Sequence, residues 1–224
     1  MPDASSQFVE PLSGVIFDLD GTVTDTLPIA YAAFRAAIAK FAVREFTDAE
    51  LLQLSGPSEE GILRQIVPDN WELCFERYLE EYTIRHGGCN APFPGLIEVL
   101  DYLSGQRLPR ALVTGKASRA VTITLRHIGI AHYFDPIEAG SPNGNIKVEA
   151  LRRVLAQWRA RASSVVYVGD VPSDMEAANA TGVIAAGAAW AAAVDAAALT
   201  ASGAEIVFSR VDDFLAWLRA RAER

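Results

Sequence analysis

Cysteine is scarce in this chain: two residues in 224, Cys74 and Cys89, far apart and outside any CxxC spacing. Neither a disulfide framework nor a zinc site is therefore expected, and a reducing cytoplasm is the expected compartment. Long apolar runs are missing too. A membrane span needs about 20 residues, and the nearest stretch, 185–204, is mostly Ala and is interrupted by Gly187, Asp195 and Gly203. Positive charge is in deficit, with 20 Lys and Arg against 28 Asp and Glu for a net charge of -8. Nucleic acid and anionic membrane are therefore not expected partners. No basic segment followed by an apolar core opens the chain, so no secretory signal is expected. No internal repeat or low-complexity tract is visible.

What is present is apolar and alternating. Half of the residues are hydrophobic, ample for a packed core. After a loose leader over 1–13, Val15–Leu19 reads as a continuous apolar strand, the pattern of a parallel sheet covered on both faces. Residues 28–86 then read as helix only. Pro28 suits a first helical turn, and a helix is expected over 29–41. Thr47 and Glu50 have the spacing of a capping box, a third helix opens at Pro57 or Ser58 and runs to Ile66, and a fourth covers Asn70–Arg85. The segment Gly87-Gly88-Cys89-Asn90-Ala91-Pro92-Phe93-Pro94-Gly95 breaks the helical pattern.

Beyond it, strands expected at 110–113, 137–139, 164–169, 183–189 and 206–209 alternate with helices at 95–105, 117–128, 147–161, 173–181, 193–201 and 211–222. Such alternation predicts an α/β fold with a doubly wound parallel sheet, ligands lying at the carboxyl ends of its strands. The expected division is a core of residues 1–25 and 91–224, interrupted after its first strand by a helical insertion over 26–90. Asp25–Pro28 and Gly87–Gly95 would be its two hinges.

Chemistry gathers at the strand ends. Asp18 and Asp20 follow the first strand at i, i+2, where two carboxylates need a cation or a shared proton. Hard oxygen ligands suit Mg²⁺, and a carboxylate can also attack phosphorus; a plain Asp-rich turn is the structural alternative. Thr114-Gly115-Lys116 ends a strand just before a helix, a place where a hydroxyl and backbone N–H groups bind anions. Lys147 opens the following helix, opposing its dipole. Gly169-Asp170 ends another strand, and Asp174 in the next turn could cap that helix or support a metal. Together, Asp18, Asp20 and Asp170 concentrate negative charge for a metal, and Thr114, Gly115 and Lys147 supply donors for a phosphate.

The set Asp18-Leu19-Asp20-Gly21-Thr22-Val23-Thr24-Asp25, Val113-Thr114-Gly115, Lys147 and Gly169-Asp170-(x)3-Asp174 resembles the haloacid dehalogenase superfamily. It covers nearly the whole chain, and the helical insertion is similar to the cap of phosphoglycolate phosphatase and β-phosphoglucomutase relatives. The resemblance implies a Mg²⁺-dependent phosphatase acting on a small phosphorylated metabolite. It makes Asp18 a nucleophile that carries a phosphoaspartyl intermediate and Asp20 the general acid and base. It makes Asp18, Asp20 (through its backbone carbonyl), Asp170 and Asp174 the metal site, and Thr114, Gly115 and Lys147 the phosphate site. Lys116 and Arg119 are candidate substrate contacts. Monomer and homodimer both remain open.

The chain also departs from its relatives. Asp20 argues against a dehalogenase or phosphonatase. A sugar-phosphate mutase has a cap-loop arginine where this chain reads Gly56-Pro57-Ser58-Glu59-Glu60, and two acids there are expected to repel a second phosphate. The mutase is the alternative function. Gly115 and Val148 stand where phosphoglycolate phosphatases often carry Asn and Pro. His86, His127 and His132 fit no ligand spacing. The stripe from Trp71 to Tyr82 is expected to form the insertion's own core, and Trp190 to serve in packing or at the site mouth.

Overall fold

The computed structural model describes residues 11–42, 44–54, 56–88 and 91–222. Its centre is a six-stranded, wholly parallel sheet: β1 (Gly14–Phe17), β2 (Arg110–Val113), β3 (Ile137–Glu138), β4 (Val165–Gly169), β5 (Ile184–Ala188) and β6 (Ile206–Phe208). In space the order is β3-β2-β1-β4-β5-β6. The chain winds outward from β1 in one direction, then returns to lay β4 on β1's other side. That reversal opens a crevice at the carboxyl ends of β1 and β4.

Two-residue alternation divides the strand side chains between two apolar layers. Val15, Phe17, Val166 and Val168 pack with α5 (Leu96–Gly105), α6 (Ser118–Ile128) and α10 (Val211–Ala222). Ile16, Val165 and Tyr167 pack on the opposite face with α7 (Lys147–Trp158), α8 (Pro172–Thr181) and α9 (Ala196–Ala201). Burial on both faces is why these strands read as unbroken apolar runs.

Between β1 and α5 lie four helices: α1 (Leu27–Ile38), α2 (Asp48–Gln53), α3 (Glu59–Ile66) and α4 (Trp71–Arg85). They have an apolar core of their own, with Phe34, Ile38, Leu63, Phe75, Tyr78 and Tyr82, into which Ala117 and Ala120 also fit. Tyr78 stacks on Phe75 and Tyr82 at 6.1 and 5.5 Å. Each fully buried aromatic of this kind contributes about 1.5–3 kcal/mol. The expected capping box forms: Thr47 N–H donates to Glu50 at 2.8 Å, and Glu50 N–H to the Thr47 hydroxyl at 3.3 Å. The two connections of this helical unit lie side by side, because Phe93 N–H donates to Val23 O and the Thr24 hydroxyl to Ala91 O, both at 3.0 Å.

Several element ends differ from expectation. β1 stops at Phe17 rather than Leu19, because residues 19–24 close a tight turn in which Gly21 N–H donates to Thr24 O and Val23 N–H to Leu19 O. α7 stops at Trp158 rather than 161, where Arg159 adopts a left-handed φ of 51°. α9 begins at Ala196 rather than 193, because the Asp195 carboxylate caps Ala197 and Ala198 N–H. Residues 1–10 of the expected leader, and Cys89 and Asn90 of the expected break, lie outside the described residues. Cys74 is a buried free thiol. Among the described residues no helix is long and apolar enough to cross a membrane.

Candidate active site

Strand register assembles the site. Phe17 is paired with Leu112 on one side and Val168 on the other, so Asp18, Thr114 and Asp170 leave three adjacent strands at nearly one level. The turn after β1 is tight because it must be. Gly21 has a φ of 79°, and a Cβ there would lie 2.1 Å from an Asp170 oxygen. A Cβ on Gly169 would lie 2.4 Å from Asp174. Only glycine allows either approach.

Asp18, Asp170 and Asp174 are all buried, and one carboxylate oxygen from each lies within 4.8 Å of the others. Burial pushes the Asp18 carboxyl up to about 7 against the pull of Lys147, with Asp174 and Asp20 adding to the rise. Asp170 is likewise held well above the usual carboxylate range by burial and then by Asp18 and Asp174, although the Thr22 hydroxyl donates to it at 2.9 Å. Such a cluster suits a hard divalent cation. Asp18 Oδ1 is buried without a hydrogen-bond partner, and Lys147 Nζ approaches it only to 3.4 Å.

Asp174 is the most enclosed of the three. Its Oδ1 accepts from Lys147 Nζ at 2.5 Å and from the Tyr167 hydroxyl at 2.8 Å, and its Oδ2 from Val171 N–H at 3.2 Å. It therefore ties down the start of α8, as a helix cap was expected to do, and it also fixes Lys147, a role the sequence did not suggest. Burial works against the Lys147 ammonium, but Asp174 and Asp18 outweigh it and hold the group firmly protonated. This explains a cation at a helix N-terminus. Thr114 is buried, and its hydroxyl accepts from Lys116 N–H at 3.2 Å, which leaves its own proton for an anion.

The Asp20 carboxylate stands outside the acidic triad. It accepts from the Thr26 hydroxyl and from Lys116 Nζ at 3.1 and 3.2 Å. Lys116 is itself buried, 3.6 Å from Glu59 and 4.7 Å from the centre of the Tyr82 ring. Burial disfavours its charge, yet Asp20 and its other neighbours raise it well above an ordinary lysine. Glu59 in turn accepts from the Tyr78 hydroxyl at 3.0 Å and from Ala117 N–H, at the start of α6, at 2.5 Å. The sequence offered Glu59 as a bare repelling charge; the fold gives it a cation and a helix terminus as partners.

A cavity of about 500 Å³ is lined by Asp18, Asp20, Thr114, Gly115, Lys116, Lys147 and Asp170 together with residues of α1–α3. Arg119 lies elsewhere, on an exposed bidentate pair with Glu76 of α4. Trp190 packs, its indole N–H donating to Thr22 O at 3.0 Å and steadying the turn after β1. His86 is buried, 3.0 Å from the Thr124 hydroxyl, and stacks on His127. Tyr31 and Asn145 also line the cavity, and Tyr167 supports it through Asp174. Nothing in their spacing marks a lone tyrosine or asparagine, and their partners are distant in sequence.

Residues 15–188 match the family described as haloacid dehalogenase-like hydrolase, and the chain belongs to that family. It is 28% identical over 186 residues, 80% of this chain and 84% of the relative, to a phosphoglycolate phosphatase of Synechococcus elongatus. It is 31% identical over 179 residues to the tyrosine-protein kinase PtkA of Mycobacterium tuberculosis, covering 79% of this chain but 62% of that protein. A haloacid dehalogenase-like family hydrolase of Streptococcus pneumoniae superposes with a TM-score of 0.74 at 22% identity, covering 92% of this chain and 98% of that one.

Proposed function

We propose that this phosphatase of the haloacid dehalogenase-like family hydrolyses the monoester of a small phosphorylated metabolite in the cytoplasm, with Mg²⁺ and through a phosphoaspartyl intermediate. The observation that carries the reading is the meeting of Asp18, Asp170 and Asp174 with Lys147 by the strand ends, on the floor of a cavity of about 500 Å³. Asp18 and Asp170 would hold the cation directly, with the Asp20 backbone carbonyl, and Asp174 would support it from behind. When bound, the ion neutralises phosphoryl charge and orients the ester.

The residues then divide the work. Lys147, the Thr114 hydroxyl and the Gly115 N–H bind the phosphoryl oxygens, positioning and charge being most of what this chemistry requires. An Asp18 oxygen attacks phosphorus. The bond to the ester oxygen breaks, its electron pair stays on that oxygen, and Asp20 supplies the proton that makes it an alcohol. In the second half Asp20 takes a proton from water as that water attacks the same phosphorus, releasing inorganic phosphate and restoring the Asp18 carboxylate. Lys116 and Thr26 hold Asp20 in place for both transfers. The helical unit, proposed as a cap over residues 26–90, covers the site and excludes water.

Release of inorganic phosphate from an aryl phosphate, with and without EDTA, tests this reading. Metal-dependent release that disappears in Asp18→Asn is expected; metal-independent release, or full activity in that variant, would sink it. Transfer of the phosphoryl group to a protein tyrosine in place of water would instead favour the activity named for the mycobacterial relative.

A further inference from the structure

The floor of the cavity is charged, and of the lining residues from α1–α3 only Glu59 carries charge. Leu27, Ala30, Phe34, Leu51, Pro57 and Ile62 supply apolar side chains to the lining. Among the described residues the lining carries four carboxylates, Asp18, Asp20, Glu59 and Asp170, against two ammonium groups, Lys116 and Lys147, and no arginine. Both ammonium groups are already committed. Lys147 lies 2.5 Å from Asp174 and 3.4 Å from Asp18, and Lys116 lies 3.1 Å from Asp20 and 3.6 Å from Glu59. A divalent cation would at most bring the charges level, and the phosphoryl group then uses what positive potential there is. A second anion on the leaving group would lose its water against apolar side chains and gain no counter-charge.

Tyr31 supplies the one polar tip on the α1 side. It is half-buried, lines the cavity, and its hydroxyl has no hydrogen-bond partner among the described residues. Burial, then the nearby Asp20, raises its pKa, so the phenol stays protonated and can donate.

We infer that the substrate's leaving group is an uncharged alcohol with an apolar body, seated against the α1 wall with the Tyr31 hydroxyl as its polar partner. Carboxylated esters such as phosphoglycolate, and sugar bisphosphates, are poor substrates for the same reason. The inference rests on the phosphatase reading above and narrows it.

The test compares kcat/KM, with Mg²⁺, for ethyl, propyl, butyl and hexyl phosphate, 4-hydroxybutyl phosphate and phosphoglycolate. Burial of a methylene against an apolar wall should raise kcat/KM about fourfold per group until the wall is filled. Phosphoglycolate should fall at least tenfold below propyl phosphate, an ester of about its size whose leaving group is uncharged. Leu27→Lys, at a half-buried position of the lining, should close that gap about tenfold. Tyr31→Phe should lower kcat/KM more for 4-hydroxybutyl phosphate than for butyl phosphate. A flat alkyl series, or phosphoglycolate equal to or better than propyl phosphate, overturns the inference and leaves the phosphatase reading standing. Thermal stabilisation of Asp18→Asn by the same esters separates the two questions. A shift that grows with chain length supports the apolar wall even if the wild type releases no phosphate, in which case only the catalytic reading falls.

Discussion

The floor and the roof of one cavity are built on opposite principles. The floor sets Asp18, Asp170, Asp174 and Lys147 within a few ångströms of one another, all buried. The roof is mostly hydrocarbon from α1–α3, with charge confined to Glu59 and its partner Lys116. Like charges gathered out of water oppose folding, whereas apolar packing drives it. The floor is therefore strained electrostatically until a cation or a shared proton relieves it, and the roof is at rest as it stands. The floor is suited to chemistry, and the roof to recognition.

The comparison is broken most severely at Asp18, the proposed nucleophile. Asp18→Asn should reduce turnover by about 10⁴-fold or more, by analogy with the loss of other covalent nucleophiles. It should at the same time raise the unfolding midpoint of the metal-free protein, because one of the mutually repelling carboxylates is gone. An unchanged or lower midpoint would mean that the floor is not strained. Asp174→Ala goes the other way: it leaves the Lys147 ammonium without its closest partner and should cost about 3–5 kcal/mol in denaturant unfolding.

The strain also has a pH signature. The Asp18 pKa, about 7 in the fold, lies above its ordinary value of 3.8. Between those values the native state keeps a proton that the unfolded chain has released. This group's contribution is therefore fully present below about pH 4 and is lost as pH rises through about 7, a change of about 2–4 kcal/mol. Urea midpoints of the metal-free protein should fall from pH 5 to pH 8, and saturating Mg²⁺ or Asp18→Asn should flatten that slope.

Smaller effects sharpen the contrast from the roof. Glu59→Gln keeps one acceptor oxygen where Tyr78 and Ala117 use two, and removes the charge facing Lys116, and should cost about 1–3 kcal/mol. A double-mutant cycle with Lys116→Met should show coupling of about 0.5–3 kcal/mol between helix α3 and the loop after β2. Arg119→Ala should be smallest, about 1 kcal/mol or less, because its pair with Glu76 is exposed. It should leave kcat/KM unchanged.

Legibility followed the range of the interactions. The strand-end residues Asp18, Thr114 and Asp170 could be read because an apolar run sets the strand and its last residue points into the crevice. The expected packing role of the Trp71–Tyr82 stripe held: Phe75, Tyr78, Leu79 and Tyr82 are buried in that core and Trp71 packs against it, since helical spacing alone puts them on one face. Lys116 and Arg119 stand three positions apart and looked equivalent beside the phosphate loop. Their fates diverged because Lys116 turns inward to Asp20 and Glu59, and Arg119 outward to Glu76. No local pattern distinguishes those directions.

By itself the sequence determined the parallel α/β sheet, the helical unit set into it after the first strand, and the carboxylates placed at the strand ends, because period, capping and turn chemistry act over a few residues. Tertiary structure alone decided which charges are neutralised and what the cavity wall is made of. Those depend on side chains brought together from segments such as Glu59 and Lys116, whose meeting is set by how the helices pack over the sheet.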